Sequence, residues 1–408
     1  MSILFKNCAV LDTGKGELLP DYWVLVEGDI IREVSGRPIE APGAIVLDLA
    51  GRTLMPGLCD AHVHVTAVEP DLTKLDRFSP SYITARSINV LSGMLRRGFT
   101  TVRDAGGADQ GLAQAVREGV CEGPRIMYSG RAISQTGGHG DVRSPGEEAG
   151  NHCCPPVWAL SRIGDGVAEV RRAARDELRK GACQIKIMVS GGVASPSDRV
   201  TNTQFSLDEI RAIVEEAQAA DSYVMAHAYT ARSIRRALEC GVRSIEHGNL
   251  IDEETLDLLK EKEAFLVPTL CVYEMLYREG AASGISQQVL DKLGDLRENS
   301  LKALGMAMRK GVKIAFGTDL FGPFQEHQSL EFSLRREVCS PADMIRSATV
   351  VCAELFNMKG RIGVIAPGAY ADLLAIDGDP LQSPELLLEQ GRHMSVIMKE
   401  GKFVVNRL

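Results

Sequence analysis

The 408-residue chain lacks the uninterrupted apolar run of roughly 18 residues that a membrane-spanning helix needs. Its amino terminus, MSILFKNCAVLD, alternates apolar and polar residues and does not show the basic stretch and long apolar core of an export signal. These two absences predict a protein with no membrane contact and a cytoplasmic location.

The chain also lacks a cluster of basic residues, since its 46 Lys and Arg are dispersed among 54 Asp and Glu with a net charge of −8. This balance argues against a nucleic-acid partner and favours a small-molecule substrate. Its 10 cysteines form no dense framework, which is typical of reduced thiols in a large chain. The adjacent Cys153 and Cys154 are interpreted as ordinary loop thiols, with metal binding or a vicinal disulfide as the alternatives.

Short β-rich runs with Gly, Asp and Pro punctuation lie at both ends of the chain, in residues 3–50 and 371–405. We expect the two ends to pair in one small β-sandwich domain formed by residues 1–55 plus 360–408. Residues 56–359 would then form the main domain.

The main domain contains eight apolar, β-rich runs that alternate with helical patterns, as parallel βαβ units do. This number predicts a (β/α)8 barrel of the TIM type. The runs are residues 58–65, 100–107, 125–133, 184–192, 223–229, 244–248, 265–270 and 313–319. Two connections rich in Gly, Ser and Pro, residues 134–163 and 191–205, are long enough to predict lids or pocket walls.

Polar residues at the ends of these runs are the candidates for chemistry, because the carboxyl ends of barrel strands face the active-site mouth. The pair His62 and His64 lies on one face of its strand, where both imidazoles can bind one cation. The other runs contribute further side chains of the types that bind metals. The complete set is His62, His64, Lys186, His227, His247 and Asp319.

Lys186 lies within the apolar run QIKIM, where a buried ammonium group is costly unless it is compensated. Carboxylation of its amine by CO2 would convert it into an anionic carbamate that can bridge two divalent ions. The alternative is an ion pair with an acid across the barrel.

The ordered motifs PGLCDAHVHV, IKIMVSGG, HAY, IEHG and FGTD resemble the amidohydrolase superfamily over essentially the whole chain. Together with TTVRDAGG and SQTGGHGD they resemble its binuclear-metal branch of bacterial prolidases, or Xaa-Pro dipeptidases. The resemblance implies two divalent ions per chain, with zinc as the expected metal. His62 and His64 would bind a buried α metal, His227 and His247 a β metal, carboxylated Lys186 both ions, and Asp319 the α metal.

The resemblance implies a hydroxide held between the two ions as nucleophile, with Asp319 as the shuttle that takes its proton and delivers it to the leaving nitrogen. His139, in SQTGGHGD, would contact the oxygen of the tetrahedral intermediate. Tyr229 shares the face of His227 and would donate to the substrate carboxylate; a solvated His139 and a core Tyr229 are the structural alternatives.

Residues 270–275 are expected to form a loop after the seventh strand, where Val272 and Tyr273 would line a small apolar pocket suited to proline. Glu274 in the same segment leaves open a preference for Arg or Lys, although an outward-facing Glu274 is equally compatible with the pattern. The predicted reaction is hydrolysis of Xaa-Pro dipeptides and N-acyl-L-proline. The alternatives are an Xaa-Arg or Xaa-Lys dipeptidase, a cyclic amide hydrolase similar to imidazolonepropionase, and a metal-free scaffold, which the complete ligand set disfavours.

The other histidines match no ligand position and are predicted to lie on the surface or behind the ligands. Arg131 and Arg199 are candidates for carboxylate binding, with ordinary ion pairs as the favoured alternative. The histidines that match no ligand position are His152, His327 and His393.

We expect a homo-oligomer.

Overall fold

A computed structural model describes residues 2–143, 146, 159–196 and 198–408. The prediction for Cys153 and Cys154 and that for His152 lie outside the described residues. Within these ranges, no helix has both the length and the apolar character that crossing a membrane requires.

The strands fall into a sheet built from the two chain ends and a barrel built from the middle of the chain. They are β1 (Ser2–Asp12), β2 (Glu17–Glu27), β3 (Ile30–Ser35), β4 (Ile45–Asp48), β5 (Thr53–Pro56), β6 (Leu58–Val63), β7 (Phe99–Asp104), β8 (Arg125–Tyr128), β9 (Ala132–Ser134), β10 (Ser161–Ile163), β11 (Ile185–Met188), β12 (Val224–Thr230), β13 (Ser244–Leu250), β14 (Phe265–Val267), β15 (Lys313–Ile314), β16 (Leu373–Ile376), β17 (Met394–Lys399) and β18 (Lys402–Asn406).

The α-helices connect the barrel strands or follow them. They are α1 (Pro80–Arg96), α2 (Gln110–Arg117), α3 (Val167–Arg179), α4 (Leu207–Ala219), α5 (Ala231–Glu239), α6 (Glu253–Glu261), α7 (Leu270–Glu279), α8 (Gln287–Leu293), α9 (Leu296–Lys310), α10 (Leu330–Arg335), α11 (Pro341–Ser347) and α12 (Val350–Leu355).

The sheet of the chain ends has the order β18-β17-β16-β5-β1-β2-β3, with β4 beside β1. Its antiparallel β5–β16 pairing joins the two ends of the chain. Phe5, Val24 and Leu373 lie in its apolar core and are fully buried. The small β domain is therefore assembled from both termini, while its exact boundaries at residues 55, 56, 359 and 360 stay predictions.

The predicted TIM-type barrel is confirmed, because each of the eight apolar runs contains a barrel strand. The order β6-β7-β8 continues into β9-β11-β12-β13-β14-β15 with parallel pairing. The Cys183 amide donates to the Tyr128 carbonyl and joins the two segments. The Asp319 amide donates to the His62 carbonyl over 2.8 Å and closes the barrel. A Cβ on Gly317 would lie 2.4 Å from a methyl carbon of Val267, so this closure requires glycine.

Local sequence explains why the barrel elements form where they do. The four residues of β11 are all buried, as expected for a parallel strand covered on both faces. Helix α4 is capped at its amino terminus by Ser206, which forms a capping box with Glu209, and the helix buries Ile210 and Ile213 towards the barrel.

The prediction of a loop after the seventh strand was wrong. Strand β14 ends at Val267, and α7 begins at Leu270. The segment from Leu270 to Leu276 is buried at every position, so the sequence shows no polar face that would mark a helical period. Val272 and Tyr273 therefore lie on a helix over the barrel mouth.

Candidate metal centre and substrate pocket

The structure brings the six predicted ligand residues together at the carboxyl-terminal mouth of the barrel. His62 lies in β6 and His64 directly follows it, and the Asp319 carboxylate lies 3.4 Å from His62 Nε2 and 3.3 Å from His64 Nε2. One donor atom from each of these three residues lies within 4.8 Å of the others. The His247 imidazole lies beside that of His62, with ring centroids 5.1 Å apart, and that of His227 is 4.7 Å from His247.

Outer hydrogen bonds orient the two imidazoles of the first strand. His62 Nδ1 lies 2.7 Å from Oε2 of the buried Glu246 carboxylate. His64 Nδ1 donates to the Gly106 carbonyl over 2.9 Å. In both side chains Nε2 is left to face the centre of the site, which is the arrangement of a metal-binding histidine.

The imidazoles of the fifth and sixth strands are held in the same way. His247 Nδ1 lies 2.8 Å from the Thr269 hydroxyl. His227 instead donates from Nε2 to the Gly191 carbonyl over 3.0 Å, which leaves its Nδ1 for the site. Each of the four imidazoles thus has one ring nitrogen bound to an outer partner.

Lys186 is buried in β11, and its Nζ lies 3.5 Å from His62 Nε2. Burial lowers the pKa of Lys186 to about 8, which favours the neutral amine more than in water. Among the residues that the structure describes, Lys186 forms no ion pair with a carboxylate.

The electrostatic environment of the cluster favours the binding of a cation. Burial holds the pKa of His62 and His227 well below the ordinary value and lowers that of His247 to about 3, so these imidazoles are neutral. Burial opposes ionisation of Asp319, but the surrounding imidazoles hold the pKa of this carboxyl below its ordinary value. Burial lowers the His64 pKa, yet the hydrogen bond and charge of Asp319 outweigh it and raise that pKa overall. The neutral imidazoles of His62, His227 and His247 beside the Asp319 carboxylate are in the protonation states that metal binding requires, and a bound cation would oppose protonation of His64.

Two residues of the cluster have a strained backbone. His247 has φ of 74° and Asp319 has φ of 57°, which non-glycine residues seldom adopt. Such strain costs on the order of 1–3 kcal/mol per residue and is concentrated at functional sites. It is consistent with a site whose geometry is maintained at the expense of local stability.

His139 lies on the opposite wall, on the connection after β9. Its ring stacks on that of His227 at 4.1 Å between centroids, and its Nδ1 lies 2.9 Å from the Ser195 hydroxyl. Ser195 in turn donates to the Asp198 carboxylate. A Cβ on Gly192 would lie 2.2 Å from the His139 ring, so any larger residue there would displace this ring. Burial lowers the pKa of His139 to about 4.

Lys292 on α8 fastens the loop that carries Ser195 and Asp198. Its Nζ donates to the Ser195 carbonyl over 2.6 Å and to the Gly192 carbonyl over 3.3 Å. The same ammonium lies 3.4 Å from the Asp198 carboxylate. The predicted pocket wall at 191–205 is therefore fixed to the helices above the barrel.

A cavity of about 1000 Å³ opens above the cluster. Tyr229, Tyr273 and Val272 line it beside the proposed ligands, and the two tyrosine rings lie 6.2 Å apart. Burial raises the pKa of both phenols, so both hydroxyls are protonated and able to donate. The rest of the lining near α7 and α8 is largely apolar: Leu276, Ile285, Val289 and Phe321.

The remaining candidates lie elsewhere or have other partners. Glu274 does not line the cavity, and its carboxylate pairs with Arg278 and with Arg297 at 2.8 Å. Arg131 lines the cavity, whereas Arg199 is exposed outside it. The two described histidines without a predicted ligand role are peripheral. His327 is exposed, and His393 pairs with Glu389 at 3.5 Å.

Sequence reasoning missed the residues that hold the ligands in place, chiefly Glu246 with Arg103, and Ser195 with Asp198. A signal was present for the first pair, since each interrupts an apolar strand just as Lys186 does. For Ser195 and Asp198, residue type and spacing carried no such signal.

A β/α barrel that gathers four imidazoles, a buried lysine and a carboxylate at its carboxyl-terminal mouth defines a metal-dependent hydrolase. The amidohydrolase family profile matches residues 53–404, and the chain belongs to this family. Members of the family generally hold a binuclear metal centre, and the chain is a hydrolase of amide bonds on the prolidase-like branch.

Three relatives illustrate the similarity. A solved prolidase in complex with N-methylphosphonate-L-proline is 47% identical, with a TM-score of 0.97 over 100% of both chains. A Xaa-Pro dipeptidase with methionine bound in its active site is 28% identical, with a TM-score of 0.89 over 100% of both chains. Ochratoxinase of Aspergillus niger is 34% identical over 361 residues, which cover 86% of this chain and 75% of that protein.

Proposed function

We propose that the protein is a binuclear metallo-dipeptidase that hydrolyses the amide bond of Xaa-Pro dipeptides and of N-acyl-L-proline. The observation that carries the proposal is the convergence of the ligand cluster with two buried tyrosines beneath a cavity whose wall near α7 and α8 is largely apolar. Similarity to a prolidase in complex with N-methylphosphonate-L-proline supports the same substrate class.

The donor set fits two divalent ions. His62, His64 and Asp319 surround one point, while His227 and His247 lie on the adjoining strands. Lys186 lies between these groups in strand order, and as a carbamate it would offer an oxygen to each ion. Two ions bound there would supply an activated water and polarise the scissile carbonyl. Zinc stays the expected metal, since nitrogen and carboxylate ligands suit it.

The chain's own residues would move the proton and hold the reacting atoms. Asp319 is the proposed acceptor of the water proton, because its environment keeps the carboxylate ionised. It would then deliver that proton to the departing nitrogen. His139, fixed by Ser195 and Asp198, is the proposed contact of the oxygen on which negative charge develops. Because Ser195 gives its one proton to Asp198, His139 donates from Nδ1, and the contact requires a second proton on Nε2, which the developing negative charge would favour.

Tyr229 is the proposed anchor of the substrate carboxylate. Its phenol is protonated and lies beside His227, at 4.7 Å between rings, so a bound carboxylate would lie next to the ligand cluster. Tyr273 is 1% exposed and Val272 3% exposed, and we assign both to the apolar wall that receives the proline ring.

A preference for Arg or Lys is not supported by the position of Glu274, because two arginines already pair with its carboxylate. A second candidate is an amide whose carboxyl side carries a larger apolar group. The size of the cavity and the similarity to ochratoxinase favour this alternative. The cytoplasmic location and the homo-oligomeric state stay predictions from the sequence.

The deciding experiment is a rate screen of metal-loaded protein against Xaa-Pro, Xaa-Arg, Xaa-Lys, Xaa-Leu and Xaa-Phe dipeptides, N-acetyl-L-proline and a cyclic amide. We expect the proline compounds to have the highest kcat/KM. The Tyr229→Phe variant should raise KM for them about tenfold or more, since it loses a hydrogen bond to a charged group. Faster turnover of the Leu and Phe compounds would favour the second candidate, and turnover of the cyclic amide alone would overturn the dipeptidase proposal.

A further inference from the structure

A chain of three buried side chains runs beneath the proposed ligands, through the interior of the barrel. Arg103 of β7 and Glu246 of β13 form an ion pair at 2.9 Å, and both are fully buried. The other oxygen of Glu246 lies 2.7 Å from His62 Nδ1. The chain therefore begins at a guanidinium far from solvent and ends at a proposed metal ligand.

Arg103 contacts the backbone next to the same histidine. Its Nε donates to the Ala61 carbonyl over 2.7 Å, and its Nη2 lies 3.2 Å from the Ser244 hydroxyl. Ser244 also donates to Glu246. The guanidinium thus links β6, β7 and β13, and it defines both the backbone and the side-chain environment of His62.

A buried ion pair is in general a poor source of stability, since desolvation offsets most of the attraction. This pair lies where apolar side chains would fill the barrel more simply. Its geometry instead serves His62: a carboxylate that accepts from Nδ1 selects one tautomer, fixes the ring plane and increases the basicity of Nε2.

We propose that Glu246, held in place by Arg103, is a positioning residue that fixes the His62 imidazole for metal binding. This inference rests on the proposed function, in which His62 binds the α metal. It predicts that the affinity for one metal ion depends on the length of the side chain at position 246 as well as on the charge of its carboxylate.

The barrel offers a matched control in a second buried pair, Glu331 and Arg335. These side chains are also 0% and 1% exposed and pair at 2.7 Å. Glu331 accepts from the Cys271 amide, and within the described part of the chain it contacts no proposed ligand. The two pairs have the same chemistry and burial, so they separate an effect on metal binding from a general effect on folding.

The experiment compares Glu246→Asp with Glu331→Asp, and Glu246→Gln with Glu331→Gln. Affinity for zinc is measured by competition with a fluorescent chelator, and thermal unfolding of the metal-free proteins is recorded alongside. We expect Glu246→Asp to weaken the binding of one zinc ion about 10- to 100-fold, because it keeps the charge but withdraws the oxygen from Nδ1. The zinc affinity of Glu331→Asp should stay within about threefold of wild type, even if its unfolding temperature falls as far as that of Glu246→Asp.

Equal zinc affinities in the Glu246 and Glu331 variants would overturn the inference. If Glu246→Asp does not fold, the Glu246→Gln variant decides the question. Gln keeps an acceptor for His62, and we expect it to weaken the binding of one zinc ion by a smaller factor than Glu246→Asp would. These measurements need no substrate. A wild-type protein that binds two zinc ions but does not cleave proline compounds would refute the proposed function and leave this inference standing, whereas failure to bind zinc would refute both.

Discussion

The site has a strand-borne side and a loop-borne side, and they are built differently. The strand-borne side holds the proposed metal ligands at the ends of barrel strands, where backbone pairing sets their positions. The loop-borne side holds His139, which stands 4.1 Å from the His227 ring through side-chain contacts between two loops. The barrel strands themselves therefore position the proposed metal ligands, whereas side-chain interactions between loops position His139.

Two lysines, one on each side, provide the largest expected contrast. Lys186→Ala should bind fewer than two metal ions and lose about 10³- to 10⁴-fold in kcat, since a metal clamp is worth several kcal/mol and about 1.4 kcal/mol corresponds to tenfold. Lys292→Ala should keep both ions, because Lys292 contacts only the loop. Metal content and kcat are the measurements, and equal metal loss in both variants would remove the distinction between the two sides.

Asp319→Asn tests proton transfer on the strand-borne side. We expect kcat for N-acetyl-L-proline to fall about 10³-fold, because the amide cannot accept the water proton. Metal analysis must accompany the assay, since a lost ion would assign the effect to binding. A fully loaded variant that keeps more than a tenth of the wild-type kcat would show that another group moves the proton.

Asp198→Asn tests the loop-borne side. The change weakens the acceptor of Ser195, so His139 should lose its orientation and kcat should fall about 10- to 100-fold with metal content unchanged. Gln288→Ala is the control, because Gln288 contacts the same loop only at the Pro196 carbonyl, at 2.8 Å. Similar losses in both variants would indicate general loosening of the loop.

Glu274→Gln should have the smallest effect. Its carboxylate pairs with Arg278 and Arg297 away from the cavity, so the ratio of kcat/KM for Xaa-Pro over Xaa-Arg should change by less than about twofold. A larger fall in Xaa-Arg turnover would place Glu274 in the substrate pocket and bring the basic dipeptide back as substrate.

The same division explains what could be predicted from the sequence. The barrel and its order of strands were predictable because apolar runs alternate with helical patterns, and the polar residues at their ends had to meet at one mouth. Lys186 stood out because a charge in an apolar strand needs a reason. The structure brings these residues together, while their roles as ligands stay predictions until metal is measured.

The rest depends on contacts that no local pattern reveals. Helix α7 escaped prediction because its first seven residues are buried at every position, so they show no alternation of apolar and polar faces. The Asp198, Ser195 and His139 network joins positions from two loops, and its members have side chains that are common in any surface loop. Pairings of this kind are set by tertiary structure.

The hydrogen bonds that close the barrel between its first and last strands have a consequence for biosynthesis. The Thr318 hydroxyl donates to Asp60 over 2.7 Å across 258 positions of sequence, next to the point where the Asp319 amide meets the His62 carbonyl. Closing so long a loop carries a large entropic cost and is a slow event in folding. A nascent chain therefore cannot complete the catalytic cluster until its last barrel strand has left the ribosome and docked. Hydrolytic activity would then report on closure of the barrel, and chains that end before Asp319 would lack it.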